Sequence, residues 1–474
     1  MVAIAACAVL ASGAQAARVI VLYAHGHAVA RNDPFVRGPA ITPAPAAVAG
    51  RSRPRPKAHA PTVHSDLAMF ARTGAISAGA YRSYSATLSA AITSKNRLRG
   101  TRQGELQAIL EIMHQLAGER LLTPSRLPAL FETLARNREW WTTGPLLSYG
   151  ERVEFAGPQL VWQYYPGQGI ELQELGSFGK ADALYKSGRA SYGQLRSLLA
   201  ELIPLAAQRA GGLAWEYYFS FDGGAPPWTS AMSQGTALEA LTRAYKAFKD
   251  PSYLAIAHQA LPLFAAPPPA GVRVATPVGA RYLQYTFAPG TSIINAFLQS
   301  LIGLYDYAHA GGGDPLAATL FAAGDAEAQA EVPQFDTGAW SLYQPGIEDD
   351  LSYHELVTGF LEQLCSRTHA AAYCTAAQHF RAYLHTPPAL ILLTTHARAR
   401  RALSIAFRVS KISHVGIVVL RGSTVLFETS ASFPYGAHSF SIPPLRRRGT
   451  YAIHLAATDL AGNFGRTVGT LSVS

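Results

Sequence analysis

Asn295-Ala296-Phe297-Leu298-Gln299-Ser300-Leu301-Ile302-Gly303-Leu304-Tyr305-Asp306-Tyr307 places Phe297, Leu301 and Leu304 at helical spacing, with Ile294 just before them on the same face. Asn295 and Gln299, four apart, fall together on the opposite face. An apolar face and a polar face describe a helix packed on a neighbour, its polar side turned to solvent or to a groove. The same recurrence runs over residues 192–384, in stretches separated by Gly/Pro loops at 265–271 and 311–315. A long helical array without strands predicts a bundle, a solenoid or a closed toroid of helical hairpins. No fixed-period repeat is present, which weighs against the solenoid.

Working outward, residues 64–138 are also helical in period, as in Leu106-Ile109-Leu110-Met113-Leu116. Between 153 and 183 the pattern loosens into Val161, Gln163, Tyr165 and Ile170, Leu172, with glycines between, which predicts short strands or an extended hairpin. At Pro387-Pro388 the character changes to period two: Leu403-Ile405-Phe407, Val415-Ile417-Val419, Tyr451-Ile453-Leu455. Alternation with turn signals at this spacing predicts a small β-sandwich of the immunoglobulin type. The expected fold is therefore multidomain α + β: an α/α toroid or incomplete barrel with a short β-hairpin region, then a β-sandwich.

The first ten residues after Met1 are apolar or small, and Ala14-Gln15-Ala16 offers a small-residue cleavage pattern. A leader over 1–16, removed on secretion, is expected; it is too short to span a bilayer. Seven prolines between Asn32 and Pro61 predict a basic linker over 17–62. The helical domain then covers 63–385 and the β module 386–474. Only three cysteines occur, which excludes a disulfide scaffold or a four-cysteine zinc site; Cys365 and Cys374 form either one disulfide or a pair of buried thiols. The chain has 474 residues, 40 Lys+Arg and 30 Asp+Glu. Its net +10 lies in residues 18–60 (seven basic, one acidic) and 386–474 (ten basic, two acidic), which leaves 61–385 at −4. The charge therefore suits flanking segments held near an acidic surface or polymer better than a polyanion-binding active site. Nucleic acid and stable membrane insertion are not expected as partners.

Four runs stand out in the helical array: residues 225–235 (APPWTSAMSQG), Tyr282-Leu283-Gln284-Tyr285, residues 295–307, and Phe335-Asp336-Thr337-Gly338-Ala339-Trp340-Ser341-Leu342-Tyr343. A fifth, Leu351-Ser352-Tyr353-His354-Glu355, opens a helix. Over about 215–384 these runs resemble the D-glucuronyl C5-epimerases, which convert glucuronate to iduronate in heparan-type polysaccharides. The resemblance implies that Tyr285, Tyr343 and Tyr353 occupy catalytic and substrate-contacting positions, with Tyr353 the proton donor or acceptor. It places Asn295 at a substrate contact and Gln234 within a shared run. Gln299, beside Asn295 on its face, and His354, next to Tyr353, are added as substrate-binding candidates. Two positions depart from the family. Gln284 stands where it has an acidic residue, and Gly346 where it has an arginine; Arg281, or else Arg243, is the expected replacement for the lost carboxylate clamp.

The chemistry asks for such groups. Removing the C5 hydrogen of a uronate leaves a dianion unless the carboxylate charge is offset, and inversion needs proton transfer on both faces. Phenols, amides and one cation meet that demand without a redox cofactor. No histidine pair has the spacing of a zinc-binding motif, so neither metal nor cofactor is expected. Three readings follow: an epimerase acting on a glucuronate-containing polymer, a polysaccharide lyase that removes the same proton and expels the C4 oxygen, or a non-catalytic binder of acidic polysaccharide. Homodimerisation through the helical domain is left open. Trp228, Trp340 and Tyr165 are further aromatic candidates for stacking on sugar rings.

Overall fold

The computed structural model describes residues 16–37 and 60–474. The chain is mixed helix and sheet, and its described residues divide into two compact units: one of residues 16–37, 60–291 and 299–327, the other of residues 292–298 and 328–474. The expected leader over 1–16 lies almost wholly outside the described residues, as does 38–59 of the linker.

The larger unit begins with a five-stranded sheet in the order β2-β1-β3-β4-β5, formed by β1 (Ala16–Leu22), β2 (Ala28–Arg37), β3 (Arg152–Phe155), β4 (Trp162–Tyr165) and β5 (Gly169–Leu172). Only the β1–β3 pair is parallel. Residues 17–37, expected as the start of a linker, are thus a β-hairpin instead. Val19, Val21, Leu22 and Val36 are buried. The charges that suggested a solvated basic segment are used internally: Arg31 donates to Glu154 at 2.6 Å, and Asp33 lies 3.5 Å from Lys180. Pro34 is tolerated because β2 is an edge strand, where a missing N–H breaks no central ladder.

Helices α1 (Val63–Arg72), α2 (Ala78–Arg97), α3 (Gly100–Gly118) and α4 (Leu127–Thr143) confirm the early helical period. Leu106, Ile109, Leu110, Met113 and Leu116 of α3 are all buried. Two polar side chains dock this layer to the sheet. Glu105 accepts from the Tyr164 hydroxyl at 2.7 Å and from the N–H groups of Gly167 and Gly169. Asn137 bonds both the N–H and the C=O of Ile170. The unit continues through α5 (Glu174–Lys186), α6 (Tyr192–Leu202), α7 (Ala231–Phe248), α8 (Ser252–Ala260) and the single turn α9 (Pro262–Ala265). Helix α10 (Ile294–Ala308) crosses α7 so closely that a Cβ on Gly235 would lie 2.5 Å from Ser300 Cα, and one on Gly303 2.0 Å from Gly235 O. Glycine at both positions permits that crossing. Helix α11 (Pro315–Glu331) follows.

The smaller unit contains a helical hairpin, α12 (Leu351–Thr368) and α13 (Ala371–Tyr383), joined by the Cys365–Cys374 disulfide. After it come two sheets of three and five strands between Leu390 and Val473. Inward residues of both, among them Ile405, Phe407, Ile417, Val419, Tyr451 and Leu455, form one apolar core. Each fully buried side chain of that size is worth about 1.5–3 kcal/mol. Lys411, 1% exposed, ties the strands to the helices: it bonds Asp459 at 2.6 Å and the carbonyls of Tyr383 and Thr386 at 2.7 and 2.6 Å. Asn463 reaches the carbonyl of Leu384. Tyr383 ends α13 and Leu384 caps it, so two of these carbonyls are ones a helix leaves unpaired at its C-terminus. Among the described residues, no helix is long and apolar enough to cross a membrane.

Candidate functional site

Tyr343 and Tyr353 come together in the smaller unit. Tyr343 sits on a two-stranded hairpin, Leu342–Gln344 with Ile347–Glu348, and Tyr353 in the first turn of α12. Their rings lie 5.0 Å apart, tilted by 50°, and both are half-buried. Asp350 caps α12 by accepting from the Tyr353 N–H at 2.8 Å, which fixes where that side chain leaves the helix. The first turn of a helix is also where negative charge is favoured. Gly346 occupies the hairpin turn at φ +82°, a left-handed conformation costly to other residues.

Beneath the pair runs a buried relay. Ser341 Oγ lies 2.5 Å from Asp349 Oδ2 and 2.7 Å from His354 Nδ1, and His354 Nε2 lies 2.8 Å from the carbonyl of Phe380. A carbonyl only accepts, so Nε2 carries the proton and Nδ1 accepts. Burial lowers the His354 pKa to about 4, which keeps the ring neutral. Burial raises Asp349 to about 7, with the Ser341 hydrogen bond opposing it. The Ser341 hydroxyl donates to Asp349, and His354 Nδ1 accepts the Ser341 N–H at 3.3 Å. His354, expected to bind substrate, is instead 0% exposed and stacked on Trp340 with ring centroids 3.7 Å apart. Its role is to hold the hairpin on α12 and so place both phenols.

The remaining predicted residues lie elsewhere. Tyr285, in the larger unit, is half-buried beside Phe221 and Trp228 and stacks on Phe287 at 5.1 Å. Gln284 accepts from the Ser230 hydroxyl, whose oxygen caps α7. Gln234 is fully buried, bonded to the backbone of Trp215 through both ends of its amide. Gln299 is buried and donates to Glu239. Asn295, 3% exposed, is equally enclosed. The expected groove-facing side of α10 therefore looks into protein. Arg281 pairs with Glu327 at 3.6 Å, and Arg243 holds Asp182 at 2.6 Å as well as Glu239, so neither expected replacement clamp is idle. Trp228 and Trp340 are core residues, their indole N–H groups bonded to the carbonyls of Phe219 and Asp349. Tyr165 stacks on Phe219 at 4.5 Å.

The sequence reading missed the polar residues buried around the sheet. Glu171 and Glu174, 3% and 2% exposed, have carboxyl pKa values raised well above the ordinary range by burial. Glu216 receives Arg126, Arg209 and the Tyr218 hydroxyl. The available signal was a charged residue inside each strand-like run, as in RVEF at 152–155 and GIEL at 169–172. Among the described residues, no three His, Cys, Asp or Glu side chains are grouped to hold a metal ion.

The family model of the D-glucuronyl C5-epimerase C-terminus matches residues 210–382. Residues 210–382 are thus similar to the C-terminal domain of the D-glucuronyl C5-epimerases. That segment contains all three tyrosines. A D-glucuronyl C5-epimerase of Caenorhabditis elegans is 37% identical over 130 residues, 25% of this chain and 21% of that protein. The chain thus covers about a fifth of the relative it matches. Among solved structures, a sugar epimerase from a ruminal bacterium aligns at TM-score 0.32 and 14% identity, over 45% of this chain and 58% of that one. A cellobiose 2-epimerase from Spirochaeta thermophila aligns at 0.34 and 11%, over 60% and 74%.

Proposed function

We propose that the protein inverts C5 of D-glucuronate units in an acidic polysaccharide, giving L-iduronate, and that Tyr353 with Tyr343 carries protons at the reacting carbon. The carrying observation is that a segment similar to an epimerase domain presents two half-buried phenols 5.0 Å apart on a rigidly held hairpin and helix start. In such a reaction a base takes the C5 proton while the C–H electron pair passes into the carboxylate, and an acid returns a proton from the opposite face. Neither step needs an electron acceptor. We read the helices as an incomplete α/α toroid, the two C-terminal sheets as an immunoglobulin-like module, and the chain as secreted to act on envelope or extracellular polymer. A glucuronan or heparosan polymer is the substrate class that follows.

The test is incubation with either polymer in deuterated water. Deuterium at C5 without absorbance from an unsaturated product supports the epimerase; a 4,5-unsaturated end assigns a lyase. Binding without exchange leaves a non-catalytic polysaccharide binder, the reading that Gln284 and Gly346 favour. Tyr353→Phe is expected to cut exchange by about a hundred-fold or more with polymer binding intact. An unchanged rate removes Tyr353 from the mechanism.

A further inference from the structure

We infer that one end of the C-terminal β module docks an acidic polysaccharide, a role that rests on the proposed polymer substrate. Three connections meet at that end: residues 398–402 (RARRA), 421–424 (RGST) and 443–448 (PPLRRR). They carry seven arginines and no acidic residue. Strand register brings them together. In the five-stranded sheet, Ala397 pairs with Val473, Val473 with Gly449, and Ala452 with Leu420, one residue before Arg421. Arg398, Arg448 and Arg421 therefore stand at neighbouring strand ends, spread over about 14 Å at about 4.8 Å per strand. In the three-stranded sheet Leu403 pairs with Ile442, and the Arg400 N–H donates to the Leu445 carbonyl at 2.8 Å.

These charges do nothing for the fold. Six of the seven side chains are exposed, Arg421 is half-buried, and among the described residues none of them forms an ion pair with a carboxylate. The module's two acidic residues lie elsewhere: Asp459 holds Lys411 at the opposite end, and Glu428 sits opposite Val418 within the sheet. Like charges gathered this closely repel one another, a cost that a bound polyanion reverses. The 443–448 connection is also held in place. Leu445 is buried in the module core, and two side chains fix the backbone beyond it: the Tyr451 hydroxyl donates to the Arg447 carbonyl at 2.5 Å, and Arg421 Nη2 donates to that of Arg448 at 3.1 Å. Arg421 is thus a strut, and the six exposed arginines are the contacts. Guanidinium forks suit carboxylate or sulfate groups repeated along a chain. The three connections contain no aromatic residue to stack on nucleic-acid bases, and their one large apolar side chain, Leu445, is buried rather than offered to a lipid layer. Glu348, on the tyrosine-bearing hairpin, accepts the Ile412 N–H at the other end of the strand that finishes at Arg421, about 30 Å away at about 3.3 Å per residue. A chain spans that distance and a single sugar does not. The surface therefore gathers polymer and leaves the reacting unit to the tyrosines.

The experiment measures binding of heparosan to the full chain at low and at physiological salt. It compares wild type, Arg446→Gln/Arg447→Gln/Arg448→Gln, and a control, Arg408→Gln/Arg466→Gln, whose charges lie within strands rather than on the three connections. The triple variant is expected to bind about ten-fold or more weakly at low salt, with a shallower salt dependence, and the control to stay within about two-fold of wild type. Unchanged binding in the folded triple variant overturns the inference. If that variant fails to fold, unchanged binding in Arg398→Gln/Arg401→Gln does so. An equal loss in the control also overturns it, because net charge alone would then set the affinity. Phosphatidylglycerol vesicles and a DNA duplex are titrated in parallel. Loss toward either one with heparosan binding intact assigns the surface to a membrane or to nucleic acid and overturns the polysaccharide. Wild-type exchange at C5 is read separately. Exchange together with undiminished binding in the triple variant sinks the docking surface alone. Binding that the triple variant loses, without exchange in wild type, supports the docking surface and sinks the epimerase; no binding in wild type sinks both.

Discussion

Two buried polar clusters handle charge in opposite ways. Around Glu216, in the larger unit, a carboxylate is matched by two guanidinium groups and a hydroxyl. Around His354, in the smaller unit, the relay of Asp349, Ser341 and His354 is kept neutral by raising one pKa and lowering the other. Ion pairing leaves fixed charges that tolerate no missing partner. Proton retention leaves a network whose strength depends on pH.

The largest effect expected from breaking this contrast is in the charged cluster. Glu216→Gln leaves Arg126 and Arg209 without their shared counter-ion and should cost about 3–5 kcal/mol in denaturant unfolding. A loss well below 1 kcal/mol would mean that the cluster is not desolvated. The neutral relay should respond to pH instead. Asp349 has a folded pKa of about 7 against an ordinary 3.8, so its contribution is complete below about pH 4 and is lost as pH rises through 7. Glu171 and Glu174, also raised, add to the same slope. Comparing midpoints of wild type and Asp349→Asn from pH 4 to 8 isolates Asp349: the difference should shrink the advantage of wild type as pH rises, and a flat difference would refute the assignment. The smallest effect lies above the relay. Gly346→Ala should cost about 1 kcal/mol through its left-handed backbone, with exchange reduced only as far as the hairpin loosens.

Period was the most legible property. Buried Leu106 to Leu116 of α3, and Val415, Ile417 and Val419 of the β module, follow their spacings of 3.6 and 2 because each element has one face on a core. The same reasoning misjudged α10. Its polar face was read as turned to solvent or to a groove, but Gln299 is buried and donates to Glu239. The hairpin at 16–37 escaped because its proline and its charges suggested solvation, whereas partners more than a hundred residues away, Glu154 and Lys180, pair those charges. Of the candidate site, the phenol pair was visible through resemblance. The buried Glu216 cluster was not, because Arg126 and Arg209 meet that carboxylate only in the folded chain.

Lys411 gives the C-terminal sheets a meaning beyond that of an appendage. One ammonium from the β module closes the open end of α13, and Glu348 of the tyrosine-bearing hairpin accepts the N–H groups of Ile412 and Tyr435 in return. A cut at 386 would therefore strip the last turn of α13 of its cap and Glu348 of both donors. The strands behave as a splint for the segment that carries Tyr353, and shortening the protein to its family-matching segment should yield a less stable fragment rather than a minimal enzyme.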